Sequence, residues 1–150
     1  MQLKSKKIKS GFTLLEMLLS VALIAIVAGI SMPVYYALQV RSDLDITVTE
    51  IVQTARRAEL MAQANESDDD WGVRLNSGSL LLFKGDSYAT RDQDFDEVID
   101  IPSNISFGGL NEIVFEKFSG VPSASGTITV NSIINESINI TINEKGGIDY

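Results

Sequence analysis

The apolar run at residues 12–32, FTLLEMLLSVALIAIVAGISM, constrains this chain more than any other feature. As a helix rising about 1.5 Å per residue it spans about 31 Å, which matches a hydrocarbon core of about 30 Å. The run can therefore cross a bilayer. It carries one ionisable side chain, Glu16, near its start. A carboxylate inside a membrane is unfavourable by about 2.5–3.5 kcal/mol even on lenient insertion scales, and less so near an end. Such a residue is a functional candidate by default. The bland alternatives are a glutamate that snorkels to the interface and an ordinary secretory signal.

Charge orients the run. Residues 1–11 hold Lys4, Lys6, Lys7 and Lys9 and no acid, and the remaining 8 Lys and Arg face 20 Asp and Glu, a side-chain balance of −12. A basic head before an apolar helix is the positive-inside pattern, so residues 1–11 are expected in the cytoplasm and everything after Pro33 outside. At 150 residues the chain has room for one modest domain beside this segment. It contains no cysteine, so an exported domain must be held by packing and hydrogen bonds alone.

A secretory signal is cut after its apolar region, and GISMPVYY offers only a poor site there. The small residue that stands out precedes the run: in SGFTLLEMLL, Gly11 lies where the basic head meets the apolar helix. Cleavage at that junction would trim a leader and leave the anchor in place. In its lysine-rich leader, Gly11, Phe12, Thr13, Leu14, Leu15, Glu16 and the apolar helix to Pro33, the sequence resembles the type IV prepilins and the pseudopilins of type II secretion. The resemblance implies a membrane aspartyl protease, the prepilin peptidase, that cuts after Gly11 and methylates the new amine of Phe12. It also implies that Glu16 pairs with the terminal ammonium of a neighbouring subunit during assembly. Physics supports that role, because a buried carboxylate is tolerated when a cation neutralises it at the same depth.

Past Pro33 the apolar positions Ala37, Val40, Leu44, Val48, Ile51, Ala55, Ala58 and Ala62 step by threes and fours, the period of an amphipathic helix. The helix is expected to reach about Asn65, so residues 12–65 would form a rod about 80 Å long. Its polar face carries Arg41, Asp45, Glu50, Gln53, Arg56 and Arg57. Gly29 and Pro33 weaken its middle, by about 1 and 3 kcal/mol relative to alanine, and predict a kink. The resemblance implies that this part unwinds as subunits pack.

Beyond ANESDDD the pattern turns to short β-rich runs. WGVRL and LLLFK, separated by NSGS, read as a hairpin; VIDIP, NEIVFEKF, TITVNSII and SINITIN read as further strands. Alternation predicts an antiparallel pair around NES, with Ile128, Val130, Ile138, Ile140 and Ile142 turned to one face and the helix stripe covering the sheet. The fold class is α+β: a long N-terminal helix packed on a C-terminal antiparallel β-sheet head, the pilin fold. The expected divisions are a cleaved leader at 1–11, a transmembrane helix at 12–33, the amphipathic helix of the head at 34–65 and a β-rich globular head at 66–150. Within the pilins, the tryptophan soon after the helix, IVFEKFSGVPSASGTITV and a last strand ending NEKGGIDY are similar to the GspH/FimT group of minor pilins and pseudopilins.

No catalytic constellation is present. Without histidine or cysteine the chain lacks the usual general base, thiol nucleophile and strong zinc ligands, so no enzyme activity, metal or cofactor is expected. Asp92, Asp94 and Asp96 alternate as at the opening of a calcium loop, but Glu97 replaces the turn glycine and Ser103 the closing glutamate. The stretch reads as a solvated acidic loop. Asp68, Asp69 and Asp70 oppose a helix C-terminal dipole and are expected to help stop the helix, and Trp71 is expected in the core.

The expected function is that of a structural minor pilin or pseudopilin in a type II secretion pseudopilus or a type IV pilus. The partners implied are the prepilin peptidase, other pilin subunits and an inner-membrane assembly platform, with the head outside the cytoplasm. The alternative is a DNA-uptake pilin whose head binds DNA or another ligand. DNA-binding FimT-like proteins carry a basic C-terminal tail, whereas here Lys145 stands alone between Glu144 and Asp149, so nucleic acid is not an expected partner. A monomeric anchor that never assembles would require neither Glu16 nor the Gly11 junction.

Overall fold

The computed structural model describes residues 11–150, in which one α-helix is followed by eight strands. The helix, α1, runs Leu14–Gln63 and passes through Pro33. The chain divides into two units between Tyr36 and Ala37. In the first, the large apolar side chains, Leu14, Leu15, Leu18, Leu19 and Ile24 among them, are exposed. Pro33 has no N–H to donate to the carbonyl four residues earlier, that of Gly29, so the ladder lacks one bond there.

The second unit, Ala37–Tyr150, contains the core. Strands β1 (Trp71–Asn76), β2 (Ser79–Lys84), β3 (Asp92–Asp100) and β5 (Glu112–Phe115) form one antiparallel sheet in the order β3-β2-β1-β5. Strands β4 (Ile105–Gly109), β6 (Gly126–Ser132), β7 (Ser137–Ile142) and β8 (Ile148–Asp149) form a second, in the order β4-β6-β7-β8. The head thus has two sheets where the sequence suggested one. Both contribute to a single core with the C-terminal part of α1: Leu44, Val48, Ile51, Ala55, Ala58 and Ala62 pack with Trp71, Val73 and Leu82 of the first sheet and Ile128, Val130, Ile140 and Ile142 of the second.

The helical stripe predicted from periodicity is the buried one. Val40, Leu44, Val48, Ile51, Ala55, Ala58 and Ala62 are buried, and Ala37 is half-buried. Val52 and the threonines 47 and 54 are also buried, which widens the stripe enough to meet two sheets. The helix ends with Asn65 in the left-handed region at φ 53°, its N–H bonded to the Ala62 carbonyl at 3.0 Å. Asparagine tolerates that conformation, which is how helices commonly stop. Phe118 N–H also donates to the Ala62 carbonyl, at 2.9 Å, so a loop of the head caps the helix from outside.

The unbroken apolar run in LLLFK has a physical reason. Leu80 and Leu82 enter the main core, while Leu81 and Phe83 join Val114 in a second cluster on the other face, covered by Tyr88. A strand buried on both faces loses its polar alternation. Gly72, opposite Phe83 in the register, leaves room for that ring: a Cβ there would run into Phe83 and come within 3.0 Å of the Ile113 carbonyl oxygen.

Two expectations need correction. The acidic stretch around Asp92, Asp94 and Asp96 is the edge strand β3, paired with β2 from Ser79↔Asp100 to Lys84↔Asp92. It is strand and not loop, anchored on β2 at Leu82↔Glu97 and Lys84↔Asp92 with residues 93–96 bulged between them, and that pairing overrides the low strand propensity of aspartate at its ends. The strand at Ile105–Gly109, absent from the sequence reading, pairs with β6, and Gly109 adopts φ 79° where a Cβ would strike the Thr127 carbonyl.

Thr47 is fully buried in the helix and its Oγ1 has no hydrogen-bond partner. A buried hydroxyl left unpaired costs about 1–3 kcal/mol. Thr47→Val keeps the shape and removes the orphan, so it is expected to raise the unfolding free energy by about that amount, seen as a higher urea midpoint at unchanged m-value.

Candidate processing and assembly site

The chain enters α1 through Thr13. Its Oγ1 accepts a hydrogen bond from the Glu16 N–H at 3.2 Å, and its carbonyl accepts from Met17 N–H at 3.2 Å. Thr13 is therefore the N-cap and Glu16 the third helical residue, the Thr-x-x-Glu spacing of a capping box. Ser20 Oγ donates to the Glu16 carbonyl at 2.7 Å. The sequence reading treated Glu16 as a buried charge that pairs with a neighbouring subunit's amine, and not as part of the helix start. Its place in the first turn sets the carboxylate beside unsatisfied helical N–H groups, where negative charge is stabilised by about 0.3–1 kcal/mol.

Gly11 and Phe12 lie just before the cap and outside the helix. Phe12 is exposed, and a Cβ added to Gly11 would meet nothing within 4 Å. The Gly11–Phe12 peptide is thus sterically open and lies outside regular hydrogen bonding, two properties a protease substrate needs. The leader expected before it lies outside the described residues. If the chain is cut there, Phe12 would carry its amine one residue before the N-cap, where a cation adds to the positive end of the helix dipole. A nearby carboxylate offsets that, which gives Glu16 a reason to be where it is.

Among the described residues one helix is long and apolar enough to cross a membrane, and its apolar window is exposed. The family model for the prokaryotic N-terminal methylation motif matches residues 6–32, which takes in Gly11, Phe12, Thr13, Glu16 and Gly29. The chain has a prepilin-type N-terminus. This prepilin-type motif implies processing by a prepilin peptidase and assembly with other pilins, and with the apolar helix it fits a single-pass inner-membrane anchor. The long helix packed against antiparallel sheets is likewise a pilin-like architecture. Neither curated proteins nor solved structures give a match to the chain.

The head distributes its charges unevenly. Arg41 pairs with Glu136 at 2.6 Å, Arg57 with Glu97 at 2.8 Å, Arg74 with Glu112 at 2.8 Å and Arg91 with Asp96 at 3.0 Å. Lys84 reaches Asp92 at 3.7 Å and Lys117 reaches Asp68 at 3.4 Å. The sequence reading grouped Arg56 with Arg57 on one polar face, but Arg57 is committed to β3 and Arg56 is not. No group of three or more His, Cys, Asp or Glu that could hold a metal lies among the described residues, and Asp92 and Asp96 are instead in ion pairs with Lys84 and Arg91. Trp71 is in the core as expected, its Nε1 donating to the Glu66 carbonyl at 3.0 Å.

Proposed function

We propose that this chain is a structural subunit of a pilus or pseudopilus, cut after Gly11, methylated at Phe12 and held in the inner membrane by the N-terminal part of α1, with its head outside the cytoplasm. The observation that carries the reading is a coincidence of position. The methylation motif at residues 6–32 overlaps a helix that starts at Leu14, is capped by Thr13 and exposes its apolar side chains. In this reading Glu16 recruits the amine of a neighbouring subunit, and the missing N–H at Pro33, with Gly29 before it, supplies the point at which the helix bends or unwinds during packing. The finer assignment is to the GspH/FimT kind of minor pilin, and the machine a type II secretion pseudopilus or a type IV pilus. The sequence features behind it are the tryptophan after the helix and the strand-rich C-terminal half. The role is structural, with no catalytic residue and no cofactor.

Intact mass of the protein recovered from cells with and without a prepilin peptidase tests this directly. With the enzyme, the chain is expected to begin at a methylated Phe12; replacing Gly11 by a bulkier residue should leave the precursor. A mature chain beginning after Pro33, or normal trimming of the Gly11 variant, would sink the proposal.

A further inference from the structure

Of the eight Lys and Arg after residue 11, six are in ion pairs. The two that are not, Arg56 and Lys145, line the same cleft, a space of about 530 Å³ between the flank of α1 and the 143–148 turn. Of the chain's 20 acids all but Glu16 follow Pro33, and cations surrounded by so much negative charge ordinarily find a partner. Leu60, 63% exposed, and Ile148 supply apolar surface in the same cleft. Its floor is the turn at Gly146, which approaches Glu59 Oε1 so closely that a Cβ would lie 3.1 Å from it. Glu59 also lines the cleft, its Oε1 accepting from Gln63 Nε2 at 3.1 Å, so the lining holds two cations against one acid.

The other flank of α1 has the opposite character. Successive helical residues point about 100° apart, and Arg57, next to Arg56, turns to β3 and Glu97. Strand β3 is the open edge of the first sheet, and among its exposed acids Asp94 and Asp100 are in no ion pair. It also exposes Val98, 61%, and part of Phe95. The head therefore carries a cationic, partly apolar cleft beside β8 and an anionic, partly apolar edge at β3, on different flanks of one helix.

We infer that the Arg56–Lys145 cleft docks the β3 edge of a second copy of this chain. The inference rests on the filament-subunit reading. Contact between two unlike surfaces is heterologous, and a heterologous contact that does not close on itself propagates into a helical array. Two copies in succession suffice for one such contact. The net negative charge of each head opposes association at long range, but at physiological salt it is screened beyond about 8 Å, so close pairs of Arg56 and Lys145 with Asp94 and Asp100 decide the register. That same net charge disfavours duplex DNA as the occupant.

The absence of cysteine makes a clean test. Leu60→Cys and Gln93→Cys, both at exposed positions, are placed in the full chain, singly and together. They are assayed under mild oxidation on protein first shown by mass to begin at Phe12 and to sediment with filaments. The double variant is expected to give disulfide-linked dimers, and the two single variants to cross-link to each other but not to themselves. Arg56→Glu with Lys145→Glu should cut the adducts about tenfold or more, since like charges then face each other. Asp94→Lys with Asp100→Lys should then restore them. No cross-linked dimer in processed, filament-borne protein, cross-linking of a single variant to itself, or indifference to charge reversal overturns the contact and leaves the subunit reading standing. A gel shift of duplex DNA by the head that Arg56→Glu and Lys145→Glu abolish overturns it in favour of a polyanion site.

Discussion

Expressed beside the wild-type chain, Glu16→Ala is expected to insert into the membrane as well as wild type and to be under-represented in filaments by at least about tenfold. Removing one member of a buried charge pair costs about 3–5 kcal/mol because the other is left unpaired, and 1.4 kcal/mol is already a factor of ten. The structure adds a rival explanation. The Thr13-x-x-Glu16 spacing is that of a capping box, in which the glutamate side chain reaches back to the N-cap N–H, so its loss could act through the helix end alone. The rival is separable. Glu16→Gln keeps the capping-box chemistry but not the charge, and Thr13→Ala keeps the charge but not the cap. If Glu16 recruits a neighbour's amine, Glu16→Gln fails in filaments nearly as badly as Glu16→Ala and Thr13→Ala is incorporated. The reverse order would make Glu16 a helix cap and nothing more. Equal incorporation of all three variants would remove the assembly role altogether.

The capping result also explains why this carboxylate is tolerable near the end of a membrane helix and would not be at its centre. Near the first turn it meets free backbone N–H groups and the positive end of the dipole. Ten residues on, it would meet only hydrocarbon. The Thr13-to-Glu16 spacing was visible in the sequence. The size of the apolar run drew attention to the charge and away from the cap.

Elsewhere the sequence was legible where one local rule governs. A 3.6-residue period placed Val48, Ile51, Ala55 and Ala58 in the core, and alternation placed Ile128, Val130, Ile140 and Ile142 there. It was not legible where pairing overrides propensity. Asp92 and Asp100 are poor strand formers individually, yet both pair with β2; Ser106, Gly108 and Gly109 hide a strand that β6 imposes. The split into two sheets follows from which strands are neighbours, and short runs of similar composition do not carry that information. The meeting of Arg56 with Lys145 is of the same kind, because helix and C-terminal turn are brought together only by the core between them.

That core gives the second large effect. A fragment beginning at Ala37 loses the exposed apolar part of α1 and retains every buried residue from Val40 onward, so it is expected to be soluble and to unfold cooperatively without a disulfide. Within it Ile51 is the most telling position, being 1% exposed and packed where the helix meets the sheets. Ile51→Ala should lower the unfolding free energy by about 2–5 kcal/mol, through lost apolar burial and the cavity left behind. Against a total of about 5–15 kcal/mol for a domain, that is a large fraction, and the urea midpoint should fall in proportion. Gln53→Ala, two residues on and exposed, should change it by no more than about 0.5 kcal/mol. The contrast between the two substitutions tests whether α1 is structurally part of the head or merely a stalk beside it. If Ile51→Ala were as mild as Gln53→Ala, the sheets would be holding themselves together without the helix, and the buried stripe would have no energetic meaning.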